Sequence, residues 1–309
     1  MSLTITSSRG YFLDVYSSSS DSQERARHSQ DHSLVQKTLT EEDLEESKRL
    51  ASTCNEYEGL DYLTPNAGMA AVLCYDEGGQ LVGLLAVQQG IDEVELSIIV
   101  KPEKRRQGIG RSLLEVAKAE CKKDGIRKCL IVCQEPSQSG KAFVKSTGSK
   151  YQFSEYRMTL SQELFRTRES NEFSIELQQA DPADANLLAG LAAKSFAHPE
   201  ERQLRRYTQD LQKPTHRFYI VRFQGQPIGS IGTVSDGEGV DVVAFGIVPD
   251  YRGRGYGKQA LCKIVETLLE QGHQQIKIEV ETKNRNALSL YKRCGFIEQS
   301  EYQYYAVNI

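Results

Sequence analysis

No apolar run in this sequence approaches the roughly 20 residues of a membrane span; VGLLAV at 82–87 is strand-sized. The opening MSLTITSSRG also lacks the apolar core of a signal peptide. Neither a membrane partner nor export is therefore expected. An excess of positive charge is missing too: 38 basic against 42 acidic residues leave a net charge of −4, which argues against nucleic acid as a partner. A disulfide framework is the third absence. Cys54, Cys74, Cys121, Cys129, Cys133, Cys262 and Cys294 are odd in number, scattered and never spaced CxxC. That usage predicts reduced thiols in a cytoplasm and no zinc site. His28 and His32 lie four apart without the Glu that an HExxH pair carries, so no metal is expected there.

What the chain does have is a repeat. Its 309 residues, 39% hydrophobic and 26% charged, fit two soluble domains. Pro102, Arg105, Gly108 and Gly110 recur as Pro249, Arg252, Gly255 and Gly257, all 147 positions on, as do Gly125 as Gly272 and Gly148 as Gly295. Upstream, QLVGLLAV and QPIGSIGTV align after a one-residue adjustment, which is expected to fall in a variable loop.

Each copy reads alike. A strand (SLVQKTL or FSIELQQA) leads to a helix start, with Thr40 or Asp181 as N-cap. Two β-rich runs around a Gly turn follow, and a third run, VELSIIV or VDVVAFGIV, enters the glycine motif. A helix then carries Leu261, Ile264, Val265 and Leu268 at helical spacing up to Gly272. A strand (CLIVC or IKIEV), a second helix and a hairpin-like end complete the copy. The fold class is mixed α/β: two tandem domains, each a mostly antiparallel sheet flanked by helices. The expected boundaries are an extension at 1–33, a first domain at 34–160, a connector at 161–172 (SQELFRTRESNE) and a second domain at 173–309.

Glycines in a strand-to-helix turn free backbone N–H groups for an anion at the helix N-terminus. The Walker A spacing fails, because three residues separate Gly253 from Gly257 and Gln259 follows Lys258; the dinucleotide fingerprint fails at Leu113, is only half met at Ala260, and neither copy reads as a clean βαβ unit. The pattern present is R-x-x-G-x-G, from Arg105 and from Arg252. It resembles the acyl-CoA-binding signature of the GCN5-related N-acetyltransferases, the GNAT superfamily. The resemblance implies acetyl-CoA as cofactor, its pyrophosphate on the loop amides. It assigns the cofactor to Ile247, Val248, Arg252, Gly253, Arg254, Gly255, Tyr256, Gly257 and Lys258. In the first copy the corresponding set is Val100, Arg105, Arg106, Gln107, Gly108, Ile109, Gly110 and Arg111, within a cationic cluster that includes Lys101 and Lys104.

The second copy continues IKIEVETKNRNALSLYKRCGF, which is similar to a further GNAT signature through Asn284, Ala287, Leu290, Tyr291, Gly295 and Phe296, and most like members that acetylate protein N-termini. That resemblance implies Glu279 as general base, Tyr291 as general acid and Asn284 as a cofactor or water contact. The chemistry makes the same demands. An alkylammonium must lose a proton to a carboxylate before it attacks. The thioester oxyanion needs a donor, for which an N–H near Val248 is the candidate. The thiolate must regain a proton, which a phenol of pKa roughly 10 supplies only with help from its surroundings. Alternatives stand beside each role: Glu279 is either the base or a solvated strand residue, with Asp241 as reserve base, and Tyr291 is either the acid or a packing ring. The first copy has Val132, Ser137 and Val144 where the second has Glu279, Asn284 and Tyr291, which leaves only Glu95 as a candidate base. Cys262 and Cys294 read as structural.

The resulting expectation is an acetyl-CoA-dependent N-acetyltransferase working through a ternary complex, active in the second copy, with a first copy that is non-catalytic or weakly active. Its acceptor is an amine, on a small molecule, a protein N-terminus or a lysine. The stretch at 195–211, where acceptor contacts are expected, carries no readable signature, and the chain acts as monomer or homodimer. The alternative is a CoA-responsive binding protein without turnover.

Overall fold

The structure, a computed structural model, describes residues 25–29, 32–60, 69–89, 93–126, 128–167, 173–235 and 239–308. Most of the expected extension (1–24, 30–31), the end of the expected connector (168–172) and the side chain of His28 lie outside the described residues.

The first copy runs β1 (Arg25–Ser29), β2 (His32–Thr38), α1 (Glu41–Glu58), β3 (Ala70–Asp76), β4 (Leu81–Gln89), β5 (Val94–Val100), α2 (Ile109–Lys123), β6 (Cys129–Gln134), α3 (Gln138–Ser146) and β7 (Lys150–Leu160). After α4 (Gln162–Arg166) come β8 (Ile175–Gln179), α5 (Ala185–Phe196), α6 (Glu200–Asp210), β9 (His216–Phe223), β10 (Gln226–Ser235), β11 (Val240–Ile247), α7 (Tyr256–Glu270), β12 (Ile276–Glu281), α8 (Arg285–Arg293) and β13 (Phe296–Val307). Local chemistry sets the starts. Thr40 caps α1 in a reciprocal box with Asp43, whereas Asp181 caps a 3-10 turn, Pro182–Asp184, that feeds α5. The periodic residues Leu261, Ile264, Val265 and Leu268 of α7 are all buried.

Two compact units form, and each takes a strand from the other copy. Among the described residues, one comprises 25–153 together with 302–308; the other comprises Ser154–Glu301. In the first unit β5 pairs parallel with β6, and β6 takes Tyr302–Val307 of β13 as its antiparallel neighbour. In the second the order is β8-β9-β10-β11-β12-β7, with Glu155–Thr159 of β7 antiparallel to β12. The hairpin-like copy ends are in fact single strands of 11 and 12 residues. Their length follows from their duty, since each contributes residues to both units. The connector also holds structure: α4 buries Phe165 in the second unit's core, and its backbone comes so close to Gly295 (φ 86°) that a Cβ there would sit 2.8 Å from the Phe165 amide.

The one-residue adjustment between the copies is a β-bulge, not a loop. β4 and β5 pair without a register break from Gly83↔Val100 to Gln89↔Val94. In β10 and β11 the register shifts between Ser230↔Gly246 and Gly232↔Val243, so Ala244 and Phe245 share Ile231 as partner. Ala244 adopts φ 49°, in the left-handed region. Up to the bulge the copies run 146 positions apart, so Asp241 opposite Lys277 corresponds to Glu95 opposite Leu130.

Candidate active site

The glycine motif folds around its arginine. Arg252 Nε donates to the Ile247 carbonyl (2.7 Å) and its Nη2 to the Ser195 carbonyl at the end of α5 (2.7 Å). Arg105 likewise donates from Nε to the Val100 carbonyl (2.9 Å). The signature arginine thus braces the loop against the strand end, and the backbone around it does the presenting. Gly253 and Gly255 take φ 74° and 84°, and Gly255 is the N-cap of α7. No side chain caps α7 or α2, so the first-turn amides of both helices are left for a partner outside the helix. An anion is the partner those amides and the helix dipole favour.

Gly257 has a different reason to be small. A Cβ there would meet Leu290, Phe245 and Ile247 at 3.5–3.8 Å, which is ordinary contact, so protein packing does not require glycine. Close approach by something outside the protein would. Lys258 has no ion-pair partner among the described residues, and Arg254 lies 5.6 Å over the Tyr251 ring. Tyr256, Ile247 and Val248 are buried. These residues fit a pyrophosphate-bearing cofactor: unclaimed amides, an unpaired cation and a glycine with room before it.

Next to the loop, β11 and β12 part. They pair only over Val240–Val242 with Ile276–Ile278, and the next residue of β12 is Glu279. Ile276, Ile278 and Val280 point into the core shared with α7 and α8, which puts Glu279 on the opposite face. It is not a free, solvated carboxylate: Oε1 accepts from Arg157 Nε (3.2 Å) and Nη2 (3.1 Å). Asp241, on the same face, is 6% exposed. Tyr291 lies on the α8 side, fully buried, its ring 6.2 Å from Phe245 of the bulge and 6.3 Å from Phe296. Glu279 and Tyr291 therefore flank the strand separation from opposite faces of the sheet and do not touch. Asn284 is spent on structure through Oδ1, which caps α8 by accepting from the Ala287 amide (3.1 Å). The Val248 amide is also engaged, donating to the Ile228 carbonyl (2.9 Å), so it is not the expected oxyanion donor. The bulge is the place where the ladder leaves backbone groups over, since one partner residue faces two.

The first copy has the same separation, beyond Ser97↔Val132, and there a cavity of about 810 Å³ opens. Its walls include Arg105, Arg106 and Gly108 to Arg111 of the loop, the start of α3, Val132, Val144 and Tyr302. Ser137 does the capping that Asn284 does, accepting from the Gly140 amide (3.0 Å). Sequence reasoning missed Glu58. Its carboxylate accepts from Ser137 Oγ (2.9 Å), Ser139 Oγ (2.6 Å) and Arg105 Nη1. The expected cationic cluster is largely neutralised: Lys101 pairs with Glu103 (2.8 Å), Lys104 approaches Asp76 (3.7 Å) and Arg111 donates to the Ser146 carbonyl (3.2 Å). Of the five, Arg106 alone has no such partner among the described residues, and at φ 65° it holds a conformation that the second copy gives to Gly253. Gln107 donates to the Glu103 carbonyl (3.3 Å), Ile109 is buried, and a Cβ on Gly110 would press on Phe143 at 3.1 Å. Burial pushes the Cys133 thiol in this cavity up to about 11.

Comparison with known proteins bears on both copies. A family model described as "Acetyltransferase (GNAT) domain" matches residues 35–146, and one described as "Acetyltransferase (GNAT) family" matches 185–296. A mycothiol acetyltransferase of Clavibacter sepedonicus is 25% identical over 244 residues, 76% of this chain and 79% of the relative. The N-alpha-acetyltransferase MAK3 of Arabidopsis thaliana is 32% identical over 62 residues, 20% of this chain and 33% of its own length. A GCN5-related N-acetyltransferase structure from Sphaerobacter thermophilus superposes with a TM-score of 0.72 over 89% of this chain and 95% of its own; at 16% identity this is a likeness of fold. No helix among the described residues is long and apolar enough to cross a membrane.

Proposed function

From the premise that this chain belongs to the GNAT acetyltransferase family, with two such domains in tandem, we propose that it moves an acetyl group from acetyl-CoA to a primary amine of a small molecule in its second unit. The chain is an acyltransferase; the seat of transfer, the direct mechanism and the acceptor are the proposal. One observation carries it: the second unit has a bulge at Ala244–Phe245, with Tyr291 packed on one face and Glu279 on the other, and the first unit has neither the bulge nor those side chains. Acetyl-CoA, when bound on the α7 amides, supplies the acyl group as a thioester. Glu279 takes a proton from the acceptor ammonium, directly or through water. The amine attacks the carbonyl carbon, a C–N bond forms and the C–S bond breaks. The departing thiolate takes its proton from Tyr291, whose phenolate regains one as the newly acylated nitrogen sheds its surplus proton. Both substrates are bound together, with no covalent enzyme intermediate.

A small acceptor is favoured because the relative matched across both halves is a mycothiol acetyltransferase, whereas the likeness to an acetylase of protein N-termini spans 62 residues. The first unit keeps an uncapped helix and a large cavity, but has valines at both catalytic positions. It fits a role in holding CoA without transfer. The test is thiol release from acetyl-CoA with a panel of amino sugars, polyamines and amino-acid amides. Glu279→Gln and Tyr291→Phe should each slow turnover at least tenfold, within the range general acid–base catalysis supplies. Turnover that both changes leave intact would refute the site, and no turnover with any amine would favour a binding protein.

A further inference from the structure

Resting on the assignment of Glu279 as base, we propose that Arg157 is a positioning residue for the transfer: it grips one carboxylate oxygen of Glu279 and aims the other at the acceptor amine. Arg157 directly opposes Glu279 in the antiparallel register of β7 and β12. Both its Nε and its Nη2 converge on Oε1, at 3.2 and 3.1 Å. Oε2 has no protein partner among the described residues, so one oxygen is fixed and one is open. The grip is protected, since the Arg157 side chain is 9% exposed and that of Glu279 is 19% exposed. It also sits where position matters, at the first residue of β12 beyond its last pairing with β11.

A plain cross-strand ion pair would show the same distances, and the two roles differ in what they require. An ion pair needs a positive charge. Aiming needs the planar fork that delivers two N–H bonds in fixed directions, which a lysine ammonium does not provide. Displacing a catalytic group by about an ångström costs up to about 100-fold in rate.

The discriminating experiment measures kcat, KM for acetyl-CoA and melting temperature for the full chain. It uses acetyl-CoA with whichever panel amine the wild type acetylates fastest. Arg157→Lys and Arg157→Gln are each made alone and in the Glu279→Gln background. The expected result is a kcat loss of about 10- to 100-fold for Arg157→Gln and an intermediate loss for Arg157→Lys. KM for acetyl-CoA should be unchanged, and neither change should cost more once Glu279 is Gln. Arg157→Lys keeps the charge and so controls for failure to fold. If Glu279→Gln is impaired while both Arg157 variants keep wild-type kcat, or if they lose as much in the Glu279→Gln background, the positioning role is overturned and the base assignment stands. If Glu279→Gln is itself fully active, the base assignment falls and takes this role with it.

Discussion

The two glycines of the second loop make opposite demands, and exchanging each for alanine separates them. Gly255 holds φ 84° with nothing within 4 Å of a built Cβ, so the cost of alanine is the left-handed backbone alone, roughly 1–2 kcal/mol. Gly257 lies in the first turn of α7 with ordinary contacts at 3.5–3.8 Å, so alanine there relieves the helix of glycine and contributes up to about 0.5–1 kcal/mol. At about 2–4 °C per kcal/mol for a unit of this size, Gly255→Ala should lower the melting temperature of the ligand-free protein, and Gly257→Ala should leave it level or raise it. Titration with acetyl-CoA should then reverse the order of merit. The methyl of Gly257→Ala would stand where the cofactor is proposed to approach, so the more stable variant should be the poorer binder, by tenfold or more, about 1.4 kcal/mol. Circular dichroism melts and calorimetry on the same samples decide it. A Gly257→Ala protein that melts early would contradict the packing argument, and one that binds normally at the second unit would refute the reason given for that glycine.

Arg252→Ala should unfold the loop brace. Two charge-assisted bonds to carbonyls are lost, each worth about 1.5–3 kcal/mol, and the melting temperature should drop by several degrees even without ligand. Deleting Ala244 should give β11 the unbroken register that β5 already shows; the fold should survive by its melting curve while turnover falls to background. Stability should also fall with acid. Burial holds His216 and His198 below their ordinary value of 6.5, so beneath that pH the unfolded chain binds protons that the native one does not. Melting temperature should decline from pH 7 to 5.5, less steeply in His216→Gln. A flat profile would mean that these rings are not buried neutral.

The repeat and its glycine loops were plain in the sequence because they are local: spacing alone carries them. The bulge was visible as a slip of one residue between the copies but was misplaced, since nothing in VDVVAFGIV distinguishes a residue added within a strand from one added in a loop. Arg157 and Glu58 belong to no motif. The alternation of Tyr156, Met158 and Leu160 with Arg157 and Thr159 is the signal that the hairpin-like reading of this segment passed over: a strand with a cation on its polar face. Its partner was out of reach, because sheet pairing joins residues more than a hundred positions apart. The roles of Arg252 and Asn284 were legible only as signature positions. That they brace and cap required their hydrogen bonds.

The exchange of strands has a consequence for how the molecule is made. On a ribosome the first copy is finished some 140 residues before Tyr302–Val307 exist, yet β6, paired with β5 on one side, finds its second neighbour only in that segment. Until then its outer edge is an open row of N–H and C=O groups, the feature that invites pairing with another chain. Synthesis runs at about 5–20 residues per second, so the first-made half waits roughly 7–28 seconds, exposed, for the last-made strand. Fragments cut at the boundary that the repeat suggests would inherit that edge permanently.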